Sequence, residues 1–447
     1  MPIIIDASSK LQDLSTAQKQ LAVAAATIGI GGAVTLIVCR WLEKPSVSKL
    51  DRCRAIIDAE KNPDNQIPNS LNKYDSRAQP NERLVTAFGI NNSFTASNKV
   101  ASQAFRKRAE DRLAVDKPGW VKIEKCITDT VRHELGTAIA EIDLSELAQL
   151  VAMKAIIGPL LEADTTRLDN HQELIELASQ VNTQWLLSKS AYEPKPVPIR
   201  SFEQSSDLQE ALEAVFPGWR NCPDTEEPEN PLNYILPGYE TLWRVVLRGF
   251  IEVVGRNHDA MPVWTRALGS FVANPCRQQL LMGEYPGTEE LGNQNIGVSA
   301  LAIAKETLRL YPPTRRIYRT FTTPAGESGE KSADIEDLHR DTGVWGDDAE
   351  LFRPERWHDL AEDAYEGVGF LAFGAKPHFA CPARRIFKTN DKMPFGVAMV
   401  ALIIGVLSVE TNGKWKMVGE LEEQGVPLKT DREAYHDLKL RCVEKQE

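Results

Sequence analysis

The sequence FGAKPHFACPAR, residues 373–384, carries more information about this chain than any other stretch. It is a glycine- and proline-bearing loop that delivers one cysteine, Cys381, with basic side chains before and after it. Glycine and proline favour turns over regular helix or strand, so Cys381 is predicted to lie on a loop. A single loop of this kind is a weak signal, and its meaning depends on the segments that accompany it.

Two segments upstream of this loop carry spaced charges. Residues 305–313, KETLRLYPP, place Glu306 and Arg309 three positions apart on a helix that the prolines end. Residues 345–357, WGDDAELFRPERW, form a turn-rich stretch that presents Arg356. An exposed Glu–Arg pair is usually a minor surface feature, so neither segment identifies a function alone.

A third segment predicts a long, substantially buried helix. Residues 233–256, NYILPGYETLWRVVLRGFIEVVGR, have apolar side chains at helical spacing. Pro237 lies in the first half, where a proline removes a backbone hydrogen bond and kinks the axis. A loosened turn beside Glu240 and Thr241 would make room for a ligand or water. In the alternative, the helix begins at the proline and Glu240 lies in its first turn.

In this order and spacing, the four segments resemble the cytochrome P450 superfamily over roughly residues 230–440. Glu306 and Arg309 match its ExxR helix, and Arg356 matches the arginine that completes a Glu–Arg–Arg cluster. Cys381 matches the cysteine that ligates haem. The resemblance implies a mainly α fold with small β-sheets, and haem b bound through the Cys381 thiolate as the axial iron ligand. Such a thiolate pushes electron density onto the iron and favours O–O cleavage.

The resemblance also implies roles for residues around the haem. Thr241 and Glu240 match the alcohol and the acid that relay protons during oxygen activation. Arg319 and His378 stand where the family places cationic partners of the haem propionates, although His378 is alternatively an ordinary loop histidine. Phe373 begins the cysteine loop and is expected to contact the cofactor.

The chain departs from the family pattern at several positions. Phe373 lies one residue further from Cys381 than the family spacing, and Ala383 replaces the last glycine of the loop. The sequence has no clear match to the family's WxxxR helix, because the residue four positions after Trp120 is Glu124 and not an arginine. These differences leave the fold prediction unchanged but weaken the expectation of ordinary activity.

Composition excludes several classes of protein. The 447-residue chain has a formal net charge of −11, whereas a nucleic-acid-binding protein needs a basic face. Its seven cysteines are scattered and include no CxxC pair. This pattern argues against a disulfide scaffold or a structural zinc site, and it fits a reducing compartment.

An apolar run near the N-terminus predicts a membrane anchor. Residues 21–39, LAVAAATIGIGGAVTLIVC, are uncharged and close to the ~20 residues that a spanning helix needs. More Lys and Arg residues follow this run than precede it, so the positive-inside rule places the C-terminal part in the cytosol. The alternatives are a cleaved signal peptide and a buried helix. We therefore expect a lumenal N-terminus (1–20), the anchor (21–39), a linker (40–60) and a haem-binding catalytic domain (61–447), held in the endoplasmic reticulum membrane by a single pass.

The resemblance implies monooxygenation of a small apolar organic substrate with O2 and electrons from an NADPH-dependent flavoprotein reductase. Basic residues near Cys381 would face an acidic reductase surface or form a solvated charge cluster; they are Lys376, Arg384, Arg385 and Lys388. The general style of the chain resembles fungal enzymes that tailor secondary metabolites. Two alternatives stay open: a haem-thiolate isomerase or dehydratase that uses no external oxygen, and a catalytically inactive member of the fold.

Overall fold

The computed structural model describes residues 48–161, 168–189, 198–221, 230–256, 258–284, 297–358, 367–375, 379–384 and 392–443. The chain divides into two compact units, Met1–Asp51 and Arg52–Glu447. Residues 48–51 are the described part of the first unit. The predicted lumenal segment (1–20) and the predicted anchor (21–39) lie outside the described residues.

Helices form most of the described structure. Several begin where a polar side chain caps the first turn: Asn98 Oδ1 accepts from the N–H of Ala101 at 2.9 Å, and Ser299 Oγ accepts from the N–H of Ala302 at 3.2 Å. A π-helical turn, Ile251–Gly255, continues the ninth helix. In chain order the α-helices are α1 (Lys49–Asp58), α2 (Lys73–Ala78), α3 (Glu82–Phe88), α4 (Lys99–Arg112), α5 (Lys117–Thr137), α6 (Leu144–Leu161), α7 (His171–Lys189), α8 (Ser206–Val215), α9 (Leu232–Phe250), α10 (Met261–Ala273), α11 (Arg277–Leu281), α12 (Ala300–Leu310), α13 (Ile335–His339), α14 (Thr342–Trp345) and α15 (Phe395–Thr411).

Two small antiparallel sheets accompany the helices in the described residues. Their strands are β1 (Glu141–Asp143), β2 (Arg316–Thr322), β3 (Ser328–Asp334), β4 (Trp415–Val418) and β5 (Lys439–Cys442). β2 and β3 pair with Arg319 opposite Lys331. β5 lies between β1 and β4 in the second sheet. The prediction of a mainly α fold with small β-sheets is confirmed.

The core of the larger unit is built on α9 and α15. α15 is apolar on all sides, so it is stable only where other helices surround it, and it packs against α5, α9, α10 and α12. α9 lies along α6, and Gly238 permits their close approach, because a Cβ at this position would lie 2.8 Å from Ile156 Cγ2. This packing fixes α9 beside a cavity that Glu240 and Thr241 line.

One described helix, α6, has the length and apolar composition of a membrane span, but it packs as a core helix. Of its 18 residues, 72% are buried inside the protein, where α6 contacts α5, α7 and α9. A core helix has the same composition as a spanning helix when both are surrounded by apolar groups. The predicted anchor at 21–39 stays a prediction.

Two helices differ from the expectations drawn from the sequence. α9 begins at Leu232, before Pro237, so the alternative in which the helix begins at the proline is wrong. α8 lies within residues 191–231, where the prolines and acids of the sequence indicate one long loop. Its Leu208, Leu212 and Val215 are buried at helical spacing. Packing against α7 therefore outweighs the loop-like composition on both sides.

Candidate cofactor and substrate site

A cavity of about 1140 Å³ lies between the cysteine loop, α9 and β2. The loop contributes Cys381 and Phe373 to its wall, and α9 contributes Glu240 and Thr241. Pockets for one small molecule typically measure about 300–1,000 Å³. The cavity is therefore large enough for a cofactor together with a substrate. It brings the predicted sulfur ligand and the predicted proton-relay residues to one site.

The cysteine loop folds back on itself at Gly374. The φ angle of Gly374 is +74°, in the left-handed region, and a Cβ there would lie 2.5 Å from the carbonyl oxygen of Phe379. Glycine is the residue that tolerates both conditions. The N–H of Cys381 donates to the carbonyl oxygen of Phe373 at 2.8 Å and closes the loop. Cys381 is thereby held at a fixed position on the cavity wall.

The surroundings of the Cys381 sulfur favour a thiol unless a cation is bound. Burial raises the pKa of Cys381, while the N–H of Ala383 and the positive charges of Arg106 and Arg77 act in the opposite direction. A metal ligand is deprotonated, and a bound metal cation compensates the buried thiolate charge. One sulfur with an N–H group aimed at it and two cations nearby therefore fits axial ligation of a haem iron.

A buried carboxylate, Glu306 of α12, joins several segments near the loop. Arg309 donates to it through Nε at 2.9 Å and through Nη2 at 2.8 Å, and Arg356 donates through Nε at 2.9 Å. The backbone N–H of Arg353 and the indole N–H of Trp357 donate at 2.9 and 3.0 Å. The structure thus brings the three predicted network residues, Glu306, Arg309 and Arg356, into direct contact.

Charge compensation keeps this network ionised. Burial raises the pKa of Glu306, but Arg309 and Arg356 outweigh burial and lower this pKa overall. Arg309 also donates through Nη1 to the carbonyl oxygens of His339 and Ala349, at 2.6 and 2.5 Å. One guanidinium therefore fixes α12 to the turn-rich stretch that follows β3.

A neutral histidine connects this network to the cysteine loop. His339 Nδ1 donates to the carbonyl oxygen of Arg309 at 2.8 Å, and Nε2 accepts from the N–H of Leu371 at 2.9 Å, an assignment that follows from the two partners. The ring also stacks on Phe370. Burial, together with the charges of Arg309 and Arg340, lowers the pKa of His339 to about 3. The uncharged imidazole ties α12 to the segment that leads into the loop.

Two buried arginines on the cavity wall fit a ligand that carries carboxylates. Arg319 of β2 donates to the carbonyl oxygens of Ile57 and Tyr318 at 3.2 and 2.7 Å. The guanidiniums of Arg319 and Arg77 lie over the ring of Phe379, at 4.9 and 5.0 Å from its centroid. Burial and the neighbouring Arg77 lower the pKa of Arg319 to about 9, because two cations in one buried site destabilise each other. The propionates of haem would relieve this repulsion.

On the α9 side of the cavity, both predicted relay residues already have partners. Glu240 is buried and ion-paired with Arg432, whose Nη1 donates to Oε2 at 3.0 Å. Arg244 lies 3.9 Å from the same carboxylate. Thr241 Oγ1 donates to the carbonyl oxygen of Pro237 at 2.9 Å. Both side chains therefore line the cavity with their hydrogen bonds made inside the protein.

The remaining predicted residues divide between described and undescribed parts of the chain. Phe373 lines the cavity and packs against α15, where a Cβ at Gly396 would lie 2.6 Å from the Phe373 ring. His378 lies outside the described residues, and its role stays a prediction. Of the four basic residues expected to face a reductase, Arg384 is described and is half-buried.

The sequence analysis did not single out several cationic residues of the cavity, among them Arg77, Arg106 and Arg432. The WxxxR pattern fails at Trp120 on α5, whereas Arg106, which lines the cavity, lies on α4. Arg106 follows the buried Phe105 on α4, and that neighbour is the signal that could have pointed to it. No comparable pattern marks the other two arginines in the sequence.

Comparison with known proteins gives partial matches. No family model matches the chain. "Putative cytochrome P450 CYP13A10" of Caenorhabditis elegans is 39% identical over 102 residues, which is 20% of this chain and 19% of that protein. "Cytochrome P450 72A397" of Kalopanax septemlobus is 34% identical over 128 residues, 26% of this chain and 24% of that one. "Cytochrome P450 monooxygenase apdE" of Emericella nidulans is 30% identical over 147 residues, 28% of this chain and 26% of that one. The chain thus matches about a fifth to a quarter of the length of these relatives.

Solved structures extend the similarity to most of the fold. The crystal structure of CYP175A1 from one strain of Thermus thermophilus covers 82% of this chain and 83% of its own, with a TM-score of 0.51 and 13% identity. A six-coordinated cytochrome P450 from another strain of Thermus thermophilus covers 83% of this chain and 88% of its own, with a TM-score of 0.50 and 14% identity. At such low identity the likeness concerns the fold alone.

Proposed function

We propose that the chain, which is similar to cytochrome P450 proteins over part of its sequence and in its fold, is a haem-thiolate monooxygenase with Cys381 as the iron ligand. The observation that carries this proposal is the position of Cys381. This residue lies on the wall of a cavity of about 1140 Å³ that buried Arg77 and Arg319 also line. Haem b, when bound there, would supply the redox chemistry that activates O2.

The protein residues hold this cofactor and control its surroundings. The N–H of Ala383 stabilises negative charge on the Cys381 sulfur. Arg77 and Arg319 would bind the propionates of the cofactor through charge-assisted hydrogen bonds. The buried network around Glu306 keeps α12 and the following turns in place, so that the cysteine loop rests on a rigid support.

Proton transfer is assigned to Thr241 and Glu240. Thr241 Oγ1 holds a proton that it donates to the Pro237 carbonyl oxygen, and a hydroxyl can rotate to donate into the cavity instead. Glu240 lies next to Thr241, and once its ion pair with Arg432 opens, its carboxylate can take up a proton from solvent and pass it on to the Thr241 hydroxyl. The relay therefore requires a rearrangement at the α9 wall when substrate binds.

The proposal extends to the partners and the location of the enzyme. Electrons come from NADPH through a flavoprotein reductase that docks near Arg384, and residues 21–39 anchor the chain in the endoplasmic reticulum membrane with the catalytic part in the cytosol. The substrate is a small organic molecule that contacts apolar side chains of the cavity such as Leu236 and Val245. A role in secondary-metabolite formation follows from the general style of the sequence.

A second candidate function is rearrangement or dehydration of a substrate without external oxygen. The ion pair between Glu240 and Arg432 favours this alternative, because it occupies the carboxylate that oxygen activation would use. The two activities differ in their need for electrons. Product formation without NADPH and reductase would support the second candidate.

Spectroscopy of the purified protein tests the haem-thiolate assignment. We expect the reduced protein to give the carbon monoxide difference band of a thiolate-ligated haem, and Cys381→Ser to lose it. Cys276→Ser is the matched control, since Cys276 is a partly buried cysteine that does not line the cavity. Protein that stays colourless after haem reconstitution would support the inactive alternative. A thiolate spectrum that persists in Cys381→Ser would overturn the assignment.

A further inference from the structure

We propose that the cavity binds its substrate through a terminal carboxylate, held by Arg432, Arg244 and Lys189. This inference rests on the proposed function and refines its substrate class, from an apolar molecule to an apolar organic acid. The apolar part would contact the α9 wall, and the carboxylate would lie at the end of the cavity where α7 and residues 430–433 meet α9.

The charges on the cavity wall are unbalanced. Among the described lining residues, nine are Arg or Lys and four are Asp or Glu, although the whole chain has a net charge of −11. Three of the four acids, Glu330, Asp431 and Glu433, are exposed. The two propionates of a haem would compensate two cations at the Arg77 and Arg319 side. Arg106, Arg315 and Arg316 pair with acids outside the lining, namely Glu110, Glu336 and Asp334. The positive charge that remains lies at the other side of the cavity, on Arg244, Arg432 and Lys189.

The remaining positive charge surrounds one buried carboxylate. Glu240, with 1% of its surface exposed, is shared by Arg432 and Arg244. The side chains of these two arginines are 9% and 19% exposed. Two largely buried guanidiniums with a single shared carboxylate lack one negative charge, and an incoming anion can supply it.

A third cation reinforces this site at the end of α7. Trp185 is contacted by three cationic groups, with Arg83, Arg432 and Lys189 at 4.8, 5.3 and 5.7 Å from its ring centroid. Lys189 as a whole residue is exposed, but partial burial of its ammonium group and the like charges of Arg83, Arg432 and Arg244 outweigh the opposing effect of Glu240 and lower its pKa to about 8. Cations that repel one another in this way gain from a shared anion.

Arg432 is positioned in advance for this role. Arg248, buried in α9, donates to the carbonyl oxygens of Lys429 and Asp431 at 2.7 and 2.8 Å and so fixes the backbone on which Arg432 stands. Arg432 Nη1 also donates to Asn182 Oδ1 at 2.7 Å. A guanidinium held on both sides loses little conformational entropy when it binds a carboxylate.

Calorimetric titration of the haem-loaded full chain with decanoate and with decan-1-ol tests this inference. The two probes share one apolar chain and differ in charge. We expect decanoate to bind about tenfold more tightly than decan-1-ol, since hydrogen bonds to charged groups are the stronger ones. Lys189→Gln should weaken decanoate binding several-fold.

A second variant should shift decanoate binding the other way. Glu240→Gln is nearly isosteric and removes the competing negative charge, so decanoate should bind more tightly than to the parent protein, while decan-1-ol binding stays constant. Lys416→Gln is the matched control, because Lys416 is exposed on β4 and does not line the cavity. This control should leave both affinities unchanged.

The outcomes separate this inference from the haem assignment. Equal affinity for the two probes, or Lys189→Gln and Glu240→Gln changing decanoate binding in the same direction, would overturn the carboxylate site even in fully haem-loaded protein. The heat of binding does not depend on a haem spectrum. A colourless protein that discriminates the probes and follows the predicted mutational pattern would retain the carboxylate site and refute the haem assignment.

Discussion

At the scale of single residues, Glu306 has the most demanding environment. Five hydrogen bonds converge on its two oxygens, from three side chains and one backbone N–H group. Arg309 and Trp357 are buried and the Arg356 side chain is 6% exposed, so loss of the carboxylate would leave several largely buried donors without this partner at once. The glutamate therefore supports structure around the cofactor site and does not line the cavity itself.

Breaking this network should release the haem. We expect Arg309→Ala and Glu306→Ala each to lower the free energy of unfolding by about 3–5 kcal/mol, because each leaves an uncompensated buried charge, and to yield haem-free protein. Arg441→Ala is the control, since it breaks the exposed pair with Glu141 and should cost less than about 1 kcal/mol. The measurements are denaturant unfolding and haem content. Normal haem content in both buried variants would contradict the structural role.

His339 should make stability depend on pH. The pKa of His339 in the folded protein is about 3, below its ordinary value of 6.5. Between these two pH values the unfolded chain binds a proton at this histidine and the folded protein does not. Its contribution to stability is present above pH 6.5 and is lost as the pH falls toward 3, at up to about 1.4 kcal/mol per pH unit. We expect unfolding free energies measured from pH 7 to pH 4 to fall less steeply in His339→Gln than in the parent protein. His133→Gln, at an exposed histidine, should retain the parent slope, and an unchanged slope in His339→Gln would refute the prediction.

At the scale of elements, α9 tolerates a proline because another segment replaces the missing hydrogen bond. Pro237 has no N–H, so the carbonyl oxygen of Asn233 lacks its helical donor. Asn92 Nδ2 donates to that oxygen at 3.3 Å, and the N–H of Asn91 donates to Asn233 Oδ1 at 2.7 Å. The interrupted first turns of α9 are thereby tied to the segment after α3.

Removing this replacement donor should destabilise the beginning of α9. Asn92→Ala leaves the buried Asn233 carbonyl unsatisfied, and we expect the free energy of unfolding to fall by about 1–3 kcal/mol. Hydrogen exchange of the first turns of α9 should become faster in the same variant. Asn412→Ala, at an exposed position after α15, should change neither quantity. Unaltered exchange in Asn92→Ala would show that the proline gap needs no external donor.

The features that could be predicted are those marked by a pattern within a short stretch of sequence. The spacing of Glu306 and Arg309 on one helix, the apolar period of α9 and the cysteine loop are all visible within a dozen residues. The contacts of Arg77, Arg432 and His339 are not, because each joins segments that are distant in the sequence and carries no periodic pattern. α8 escapes prediction for a related reason: its short apolar period is flanked by prolines and acids, and its stability comes from packing against α7.

At the scale of the whole molecule, charge is distributed unevenly. The chain is acidic overall, yet cationic side chains outnumber acidic ones on its cavity wall. Sequence composition averages these two regions and so predicted neither the cationic cavity nor an acidic substrate. The same averaging does not affect the membrane prediction, because the positive-inside rule counts charges next to the apolar run.

Glycosylation mapping tests the proposed orientation in the membrane. Asp6→Asn creates the sequon Asn-Ala-Ser in the segment predicted to be lumenal, and we expect this variant to gain one glycan in microsomes. Asn91 is the acceptor of the natural sequon Asn91-Asn92-Ser93 and is exposed on the catalytic part. It should stay unmodified, which makes it the internal control. The measurement is a mobility shift that an endoglycosidase reverses. A glycan on Asn91 would reverse the orientation.

The pairing of β1 with β5 imposes a delay between the synthesis of β1 and the formation of its sheet. Glu141 and Arg441, which face each other in these strands, are separated by 300 residues. A ribosome that adds about 5–20 residues per second needs roughly 15–60 s to cover that distance. Throughout this interval the nascent β1 lacks β5, its strand partner. The apolar α6, which follows β1, lacks its packing contacts with the C-terminal sheet, and until α9 is synthesised it also lacks those with α9. The sheet that contains β1 can therefore be completed only after the C-terminal strand has been synthesised.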